Sequence, residues 1–426
     1  MKVPERVSRR ELCLGALAAA VFPAFSAVSA QAALPLRGGS LQYSDPRLSA
    51  KLPKRGWTIS VDSKATVDGP VRDPKYNIPY PLAIKVMTVE DAASEDSPPV
   101  PRFRVMYLKK EDEPFARLIG SVMARLYWLG IDYLGVPTAS RAFVTVWLAR
   151  EGMPGGEESD ENIWLFAIDT PRAPAEWLRE LAHEYGHATL PTIGPFSKPE
   201  RWANGYLGER LYLKWLLGDN HQTDIWTEPI DAAGYLTNQV KPLRERFLNG
   251  GPDAPDAQKI DAEGMDYLIG QVLALEAAHG PAFMREAVSR IGSPSVKGLP
   301  VIYAAAARAL PQGLPLDPSV YIPNSVQGAE AGEGGVVRFL RAGYRFYLPT
   351  GTWAVQAEGM LPSETKMILD GKALVRSTAQ PTGATSWDTG DATSSSGWKV
   401  LEVVAPAGQK VELRRLAVVN ASGANR

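Results

Sequence analysis

Only one cysteine, Cys13, occurs among 426 residues. An intramolecular disulfide framework is therefore excluded, and the fold must be held by burial and hydrogen bonding. Charge of one sign is equally lacking, since 46 Lys and Arg against 47 Asp and Glu leave a formal net charge of −1. With no concentrated basic run beyond the N-terminus, no nucleic-acid partner is expected. Long apolar runs are missing except for Leu12 to Val28, which is short for a spanning helix and interrupted by Pro23. Histidine is scarce at four residues, so its placement is informative. What remains, 45% hydrophobic and 22% charged, is the composition of a globular protein whose length suggests two to three domains.

The first 32 residues read as an export signal. Arg6, Arg9 and Arg10 precede the apolar run, and Ala30-Gln31-Ala32 offers a small-residue cleavage site. Ser8-Arg9-Arg10-Glu11-Leu12 resembles the bacterial twin-arginine signal. The expectation is an exported chain, periplasmic or extracellular, with no membrane contact after cleavage. Residues 33–56, rich in Gly, Pro and basic side chains, read as a linker.

Further on, Leu82 to Val89, Phe103 to Leu108, Arg141 to Leu148 and Ile163 to Ile168 have the texture of strands. Phe115 to Leu134 carries a helical apolar stripe, and Gly152 to Asn162 reads as a turn. Next comes Trp177 to Ala188, WLRELAHEYGHA, with an apolar stripe of Trp177, Leu178, Leu181, Ala182 and Tyr185 and a stop at Pro191. It contains His183-Glu184-Tyr185-Gly186-His187, an H-E-x-x-H sequence. Histidines four apart on a helix share one face, so both imidazoles can hold one Zn2+ and leave places for a third ligand and a water. Glu184 is then placed to act as general base on that water, whose pKa zinc lowers to about 7.

A mixed sheet followed at once by an H-E-x-x-H helix resembles the catalytic domain of the gluzincin metallopeptidases, the group of thermolysin and the zinc aminopeptidases. The resemblance spans roughly residues 100–320 and implies an α+β zincin-like domain, a peptide or protein substrate, and a third zinc ligand that is a glutamate on the next helix. That helix is expected over Ser197 to Leu217. Glu209, deep among Tyr206, Leu207, Tyr212 and Leu213, is the favoured ligand with His183 and His187. Glu200 is the other candidate, although Ser197-Lys198-Pro199-Glu200 also reads as an N-cap and capping box. Trp202-Ala203-Asn204-Gly205 resembles the family's Trp/Asn/Glu/Gly phrase without its glutamate. For the oxyanion-stabilising donor, Tyr267, Tyr206 and Tyr235 are candidates, and His221 and His279 stay open. The aminopeptidase Gly-Ala-Met-Glu-Asn phrase has only Glu161-Asn162 as its counterpart. The family's architecture also suggests that substrate adds to the edge of strand Arg141 to Leu148.

Asp261 to Ala278, Pro281 to Ile291 and Leu299 to Leu310 read as a small helical subdomain closing a catalytic domain of residues 57–325. Beyond a Pro- and Gly-rich boundary, residues 330–426 show short strands, Val336 to Leu340, Tyr344 to Leu348, Thr352 to Ala357, Lys366 to Leu369, Lys399 to Val404 and Lys410 to Val418, as in a β-sandwich. Ser377 to Gly397 reads as a surface loop in which Asp388 and Asp391 could bind Ca2+. The expected function is a secreted zinc metallopeptidase. The competing reading is a non-catalytic protein that keeps the scaffold for binding or for the cell surface, with glycan binding by the β-sandwich a third idea.

Overall fold

The computed structural model describes residues 38–41, 54–92, 94–135, 144–218, 231–280, 283–285, 287, 314–348, 350–376, 385–388 and 397–420. The export signal, His221, Asp391 and the expected helix over 299–310 lie outside these residues. No helix among the described residues is long and apolar enough to cross a membrane. The protein is a mixed α/β molecule with a distal β-rich region, and its contacts divide it into two units at about residue 236.

The first unit is built on one mixed sheet. Its strands are β1 (Gly38–Leu41), β2 (Arg55–Val61), a short hairpin β3 (Val71–Arg72) and β4 (Pro79–Tyr80) outside the sheet, β5 (Leu82–Val89), β6 (Val100–Tyr107), β7 (Val144–Leu148), β8 (Gly155–Ser159) and β9 (Asn162–Phe166). The order across the sheet is β1-β2-β5-β6-β7-β9-β8. The β6–β7 and β7–β9 pairs are parallel, whereas β8 runs antiparallel to β9. Helix α1 (Glu113–Leu129) packs across β2, β5 and β6. It buries the stripe Leu118, Ile119, Val122, Met123, Leu126 and Trp128 expected of it.

Two expectations are corrected by this sheet. The residues read as a turn, Gly152 to Asn162, contain the edge strand β8. Its Gly-Gly-Glu-Glu-Ser carries no apolar alternation, and every residue is half-buried, so only the backbone ladder to β9 makes it a strand. Asp160 and Glu161 close that hairpin with φ of 50° and 64°, the two left-handed residues of a tight two-residue turn. The strand suggested for substrate addition, β7, is instead paired on both sides. Among the described residues the sheet ends at β1 and at β8.

Helix α2 (Pro174–Thr189) carries the motif, and its stripe Trp177, Leu178, Leu181, Ala182 and Tyr185 is buried as expected. Helix α3 (Asn204–Gly218) lies against it. A Cβ built on Gly208 would lie 2.3 Å from the Gly186 Cα, so the two backbones touch where neither residue has a side chain. Beside that contact the Tyr212 hydroxyl donates to Thr189 Oγ1 at 2.9 Å, and Thr189 donates on to the Tyr185 carbonyl at 2.7 Å. The polar ends of this aromatic cluster are thereby satisfied.

The second unit contains helices α4 (Lys241–Gly250) and α5 (Ala262–His279) together with the C-terminal strands. Asp261 caps α5, accepting from the backbone of Glu263 and Gly264. The strands form two antiparallel sheets. One is centred on Val411–Asn420 beside Trp353–Met360, and the other pairs Arg341–Leu348 with Gly397–Val404. The expected surface loop Ser377 to Gly397 includes a strand, Thr385–Asp388, which buries Trp387 against Trp353–Met360.

Candidate metal centre

The site is assembled where α2 and α3 meet. His183 and His187, one turn apart on α2, turn their rings to the same side with centroids 5.0 Å apart. The carboxylate between them is that of Glu200. Its Oε1 lies 2.6 Å from His183 Nε2 and its Oε2 lies 3.4 Å from His187 Nε2. One donor atom from each of His183, His187 and Glu200 falls within 4.8 Å of the others. Glu200 Oε2 is buried with no hydrogen-bond partner among the described residues.

Glu200 is not on a helix. The expected helix over Ser197 to Leu217 begins only at Asn204, so the capping-box reading of Ser197 to Glu200 does not hold. Residues 193–203 form a loop instead, closed by backbone bonds from Phe196 N to Arg201 O at 2.8 Å and from Ala203 N to Ile193 O at 2.9 Å. The loop carries Glu200 to the position the sequence assigned to a helical glutamate. On α3 itself the residue facing the histidines is Gly205, whose Cβ would fall 2.4 Å from His187 Nε2 and 2.6 Å from His183 Nε2. The absent side chain leaves the space in front of both nitrogens clear.

Glu209, the favoured sequence candidate, is buried as expected, but arginines partner it. Arg179 Nε donates to its Oε1 at 2.7 Å, and Arg210 Nη1 pairs with the same oxygen. Its Oε2 faces His183 Nδ1 at 3.8 Å, an ion-pair distance too long for a hydrogen bond. Asn204 treats the other ring similarly, with Oδ1 3.1 Å from His187 Nδ1 and Nδ2 donating to the Leu190 carbonyl at 3.3 Å. His187 thus has a hydrogen-bond acceptor at Nδ1, while His183 Nδ1 faces a carboxylate. That arrangement orients the ring and favours the tautomer whose Nε2 lone pair points outward, as in carboxylate–histidine–metal sites.

Electrostatics follow from this packing. Burial by itself lowers the His183 pKa, but Glu200 and Glu209 outweigh it and hold the ring well above the usual histidine range. His187 is raised in the same way, chiefly by Glu200. Burial acts to raise Glu200, yet the two imidazoles pull it down to about 2. The carboxylate is therefore ionised, and a cation would compete with protons for the two Nε2 atoms. The donor set, the orphaned Oε2 and the space that a Cβ at residue 205 would fill all fit a metal ion taking nitrogen and oxygen ligands.

Glu184 projects from the same helix toward β8. A Cβ on Gly156 would come within 2.8 Å of its Oε1, so the bare glycine makes room for it. Its carboxylate is buried and accepts no hydrogen bond among the described residues. Burial raises its pKa to about 7, against the pull of both imidazoles. Two residues along the edge strand, on the same face as Gly156, stands Glu158. Burial raises its pKa too, while His187 and a hydrogen bond from the Glu161 amide draw it down. Glu158 is therefore an edge-strand carboxylate that feels His187. Nothing in the sequence marks it, because β8 has no apolar alternation.

Of the tyrosines, Tyr206 stands edge-on to His183 with centroids 4.7 Å apart. The Tyr235 hydroxyl reaches toward the Glu209 carbonyl at 3.5 Å. Tyr267 belongs to the core of the second unit beside Phe247, where its hydroxyl donates to the Gly251 carbonyl at 2.5 Å, so it is already engaged. His279 lies in that unit as well, with Nδ1 donating to the Pro315 carbonyl at 2.7 Å.

No family model matches the sequence. No curated protein matches it either. Among solved structures the chain is similar to Legionella pneumophila aminopeptidase A in complex with aspartic acid, at 9% identity and a TM-score of 0.33, over 83% of this chain and 40% of that one. The chain thus spans less than half the length of that neighbour. So loose a likeness carries no weight, and the reading of the site rests on its own side chains.

Proposed function

We propose that the protein is an exported zinc-dependent metallopeptidase in which His183, His187 and Glu200 hold the metal. The observation that carries this reading is the convergence of two Nε2 atoms and one ionised carboxylate on a space kept open by Gly205, with the unpartnered, buried Glu184 on the same helix. Zinc, when bound there, supplies Lewis acidity toward a carbonyl and lowers the pKa of water to about 7. The protein's own groups do the rest. Glu184 accepts the proton of the attacking water and can return it to the leaving amine. Asn204 and Glu209 hold the two rings in place. The outer edge of β8, which pairs with no strand among the described residues, offers backbone donors and acceptors to an extended peptide.

A purely structural zinc site has no use for a buried, unpartnered carboxylate next to its first histidine, which favours an enzyme over a binding protein on the same scaffold. A second observation bears on the mode of attack. Glu158, on the site-facing side of β8, suits the ammonium of a substrate amino terminus, and this favours an aminopeptidase over an endopeptidase. The test is a peptide-library digest by the zinc-loaded chain beside Glu184→Gln, read by mass spectrometry. Cleavage by the wild type alone, with zinc retained by both, supports the assignment, and the positions cut separate exo- from endo-action. Equal cleavage by both proteins, or none by either, refutes it.

A further inference from the structure

Arg179 lies four residues before His183 on α2, on the same helical face and about 5–6 Å away at Cβ. Its Nε is anchored to Glu209 Oε1 at 2.7 Å, the carboxylate that faces His183 with its other oxygen. Arg210 pairs with that same Oε1. One carboxylate therefore meets two guanidiniums. Arg210 is buried, whereas the Arg179 side chain is 47% exposed. Beyond Nε, Arg179 makes no hydrogen bond among the described residues, and its guanidinium keeps a pair of Nη donors. Such a fork matches a carboxylate in the bidentate manner that a lysine cannot. Glu209 anchors it one helical turn before the first histidine. One residue of extended peptide spans about 3.5 Å, so a substrate held at the histidines can extend to that turn.

We propose that Arg179 is a specificity-determining residue of this site and recognises a carboxylate on the substrate, either a free C-terminus or an acidic side chain close to the scissile bond. The inference rests on the metallopeptidase reading above. Glu209 then has two tasks, orienting His183 and presenting Arg179, which explains why one buried carboxylate carries two arginines.

The test is equilibrium binding to the zinc-loaded full chain, measured calorimetrically with four short peptide hydroxamates. Two differ only in a C-terminal carboxylate or carboxamide, and two only in an aspartate or asparagine side chain. One carboxylate probe is expected to bind on the order of tenfold tighter than its amide twin, the usual worth of a hydrogen bond to a charged group. The pair that shows the difference identifies the source of the carboxylate. Arg179→Gln should bring the twins level without weakening the amide probe, and Arg179→Lys should keep part of the preference. Equal binding of the twins to the wild type, or a preference that survives Arg179→Gln, overturns the carboxylate subsite and leaves the metal reading standing. No binding by any probe to zinc-loaded protein overturns the peptidase reading itself, and the subsite with it.

Discussion

Replacing Glu200 by glutamine tests which glutamate completes the metal site. The change keeps the shape of the side chain but removes the charge that lies 2.6 Å from His183 Nε2. Four-ligand zinc sites contribute about 10–16 kcal/mol in all, so one ligand is worth roughly 2.5–4 kcal/mol, or about 10²–10³-fold in Kd. Because the ionised Glu200 also pairs with both imidazoles in the zinc-free protein, stability there should fall by about 1.5–3 kcal/mol. Glu209→Gln should behave differently. It loosens His183, worth about 10–100-fold in zinc affinity. It also leaves the buried Arg210 without its counter-charge, at about 3–5 kcal/mol of folding stability. Competition against a chromogenic chelator gives the two Kd values, and urea unfolding of the zinc-free proteins gives the two stabilities. If Glu209→Gln abolishes zinc binding while Glu200→Gln leaves it unchanged, the assignment of Glu200 is refuted and the helical glutamate is the ligand after all.

Three further outcomes are expected. Gly205→Ala places a Cβ 2.4 Å and 2.6 Å from the two Nε2 atoms, so zinc affinity should fall at least about tenfold, and an unchanged Kd in the same titration would contradict the geometry. Gly208→Ala forces apart two helices whose backbones touch, at a cost of about 1–3 kcal/mol or more in urea unfolding. A variant as stable as the wild type would show that the helices are not in such contact. His279, buried with Nε2 unpartnered among the described residues, has its pKa pushed down to about 4 by burial. The unfolded chain, titrating near 6.5, takes up the proton first, so this stability is complete above that value and is lost as pH falls toward 4, by roughly 3 kcal/mol. His279→Gln should flatten that slope, and an identical pH profile in the variant would refute the assignment.

Much of the fold was legible in order of residues. The apolar stripes of α1 and α2 repeat with helical period, and burying such a stripe is the only way for an amphipathic helix to leave water. The strands β5, β6, β7 and β9 are runs of β-branched and aromatic residues bounded by turns, and those near the C-terminus announce themselves in the same way. The edge strand β8 was not legible, because an edge strand can be made by backbone pairing alone, whatever its side chains. The first turns of the expected helix over Ser197 to Leu217 were misread for a related reason. Ser-x-x-Glu is a helix start only if the backbone that follows is helical, and the loop closed by Phe196, Arg201 and Ala203 takes that segment elsewhere.

The metal centre divides along the same line. The spacing of His183, Glu184 and His187 is a local property, because four residues of helix bring two rings onto one face wherever the helix lies. The sequence by itself therefore determined the two imidazoles and the adjacent carboxylate. The third donor is a matter of what crosses from another element, and spacing along the chain does not report distance across it. Glu209 met the sequence criterion of a buried carboxylate in need of a partner, but Arg210 beside it and Arg179 across on α2 supply that partner. Only the packing of α3 on α2, through Gly186 and Gly208, decided that Gly205 would clear the space before the histidines and that the loop would deliver Glu200 into it.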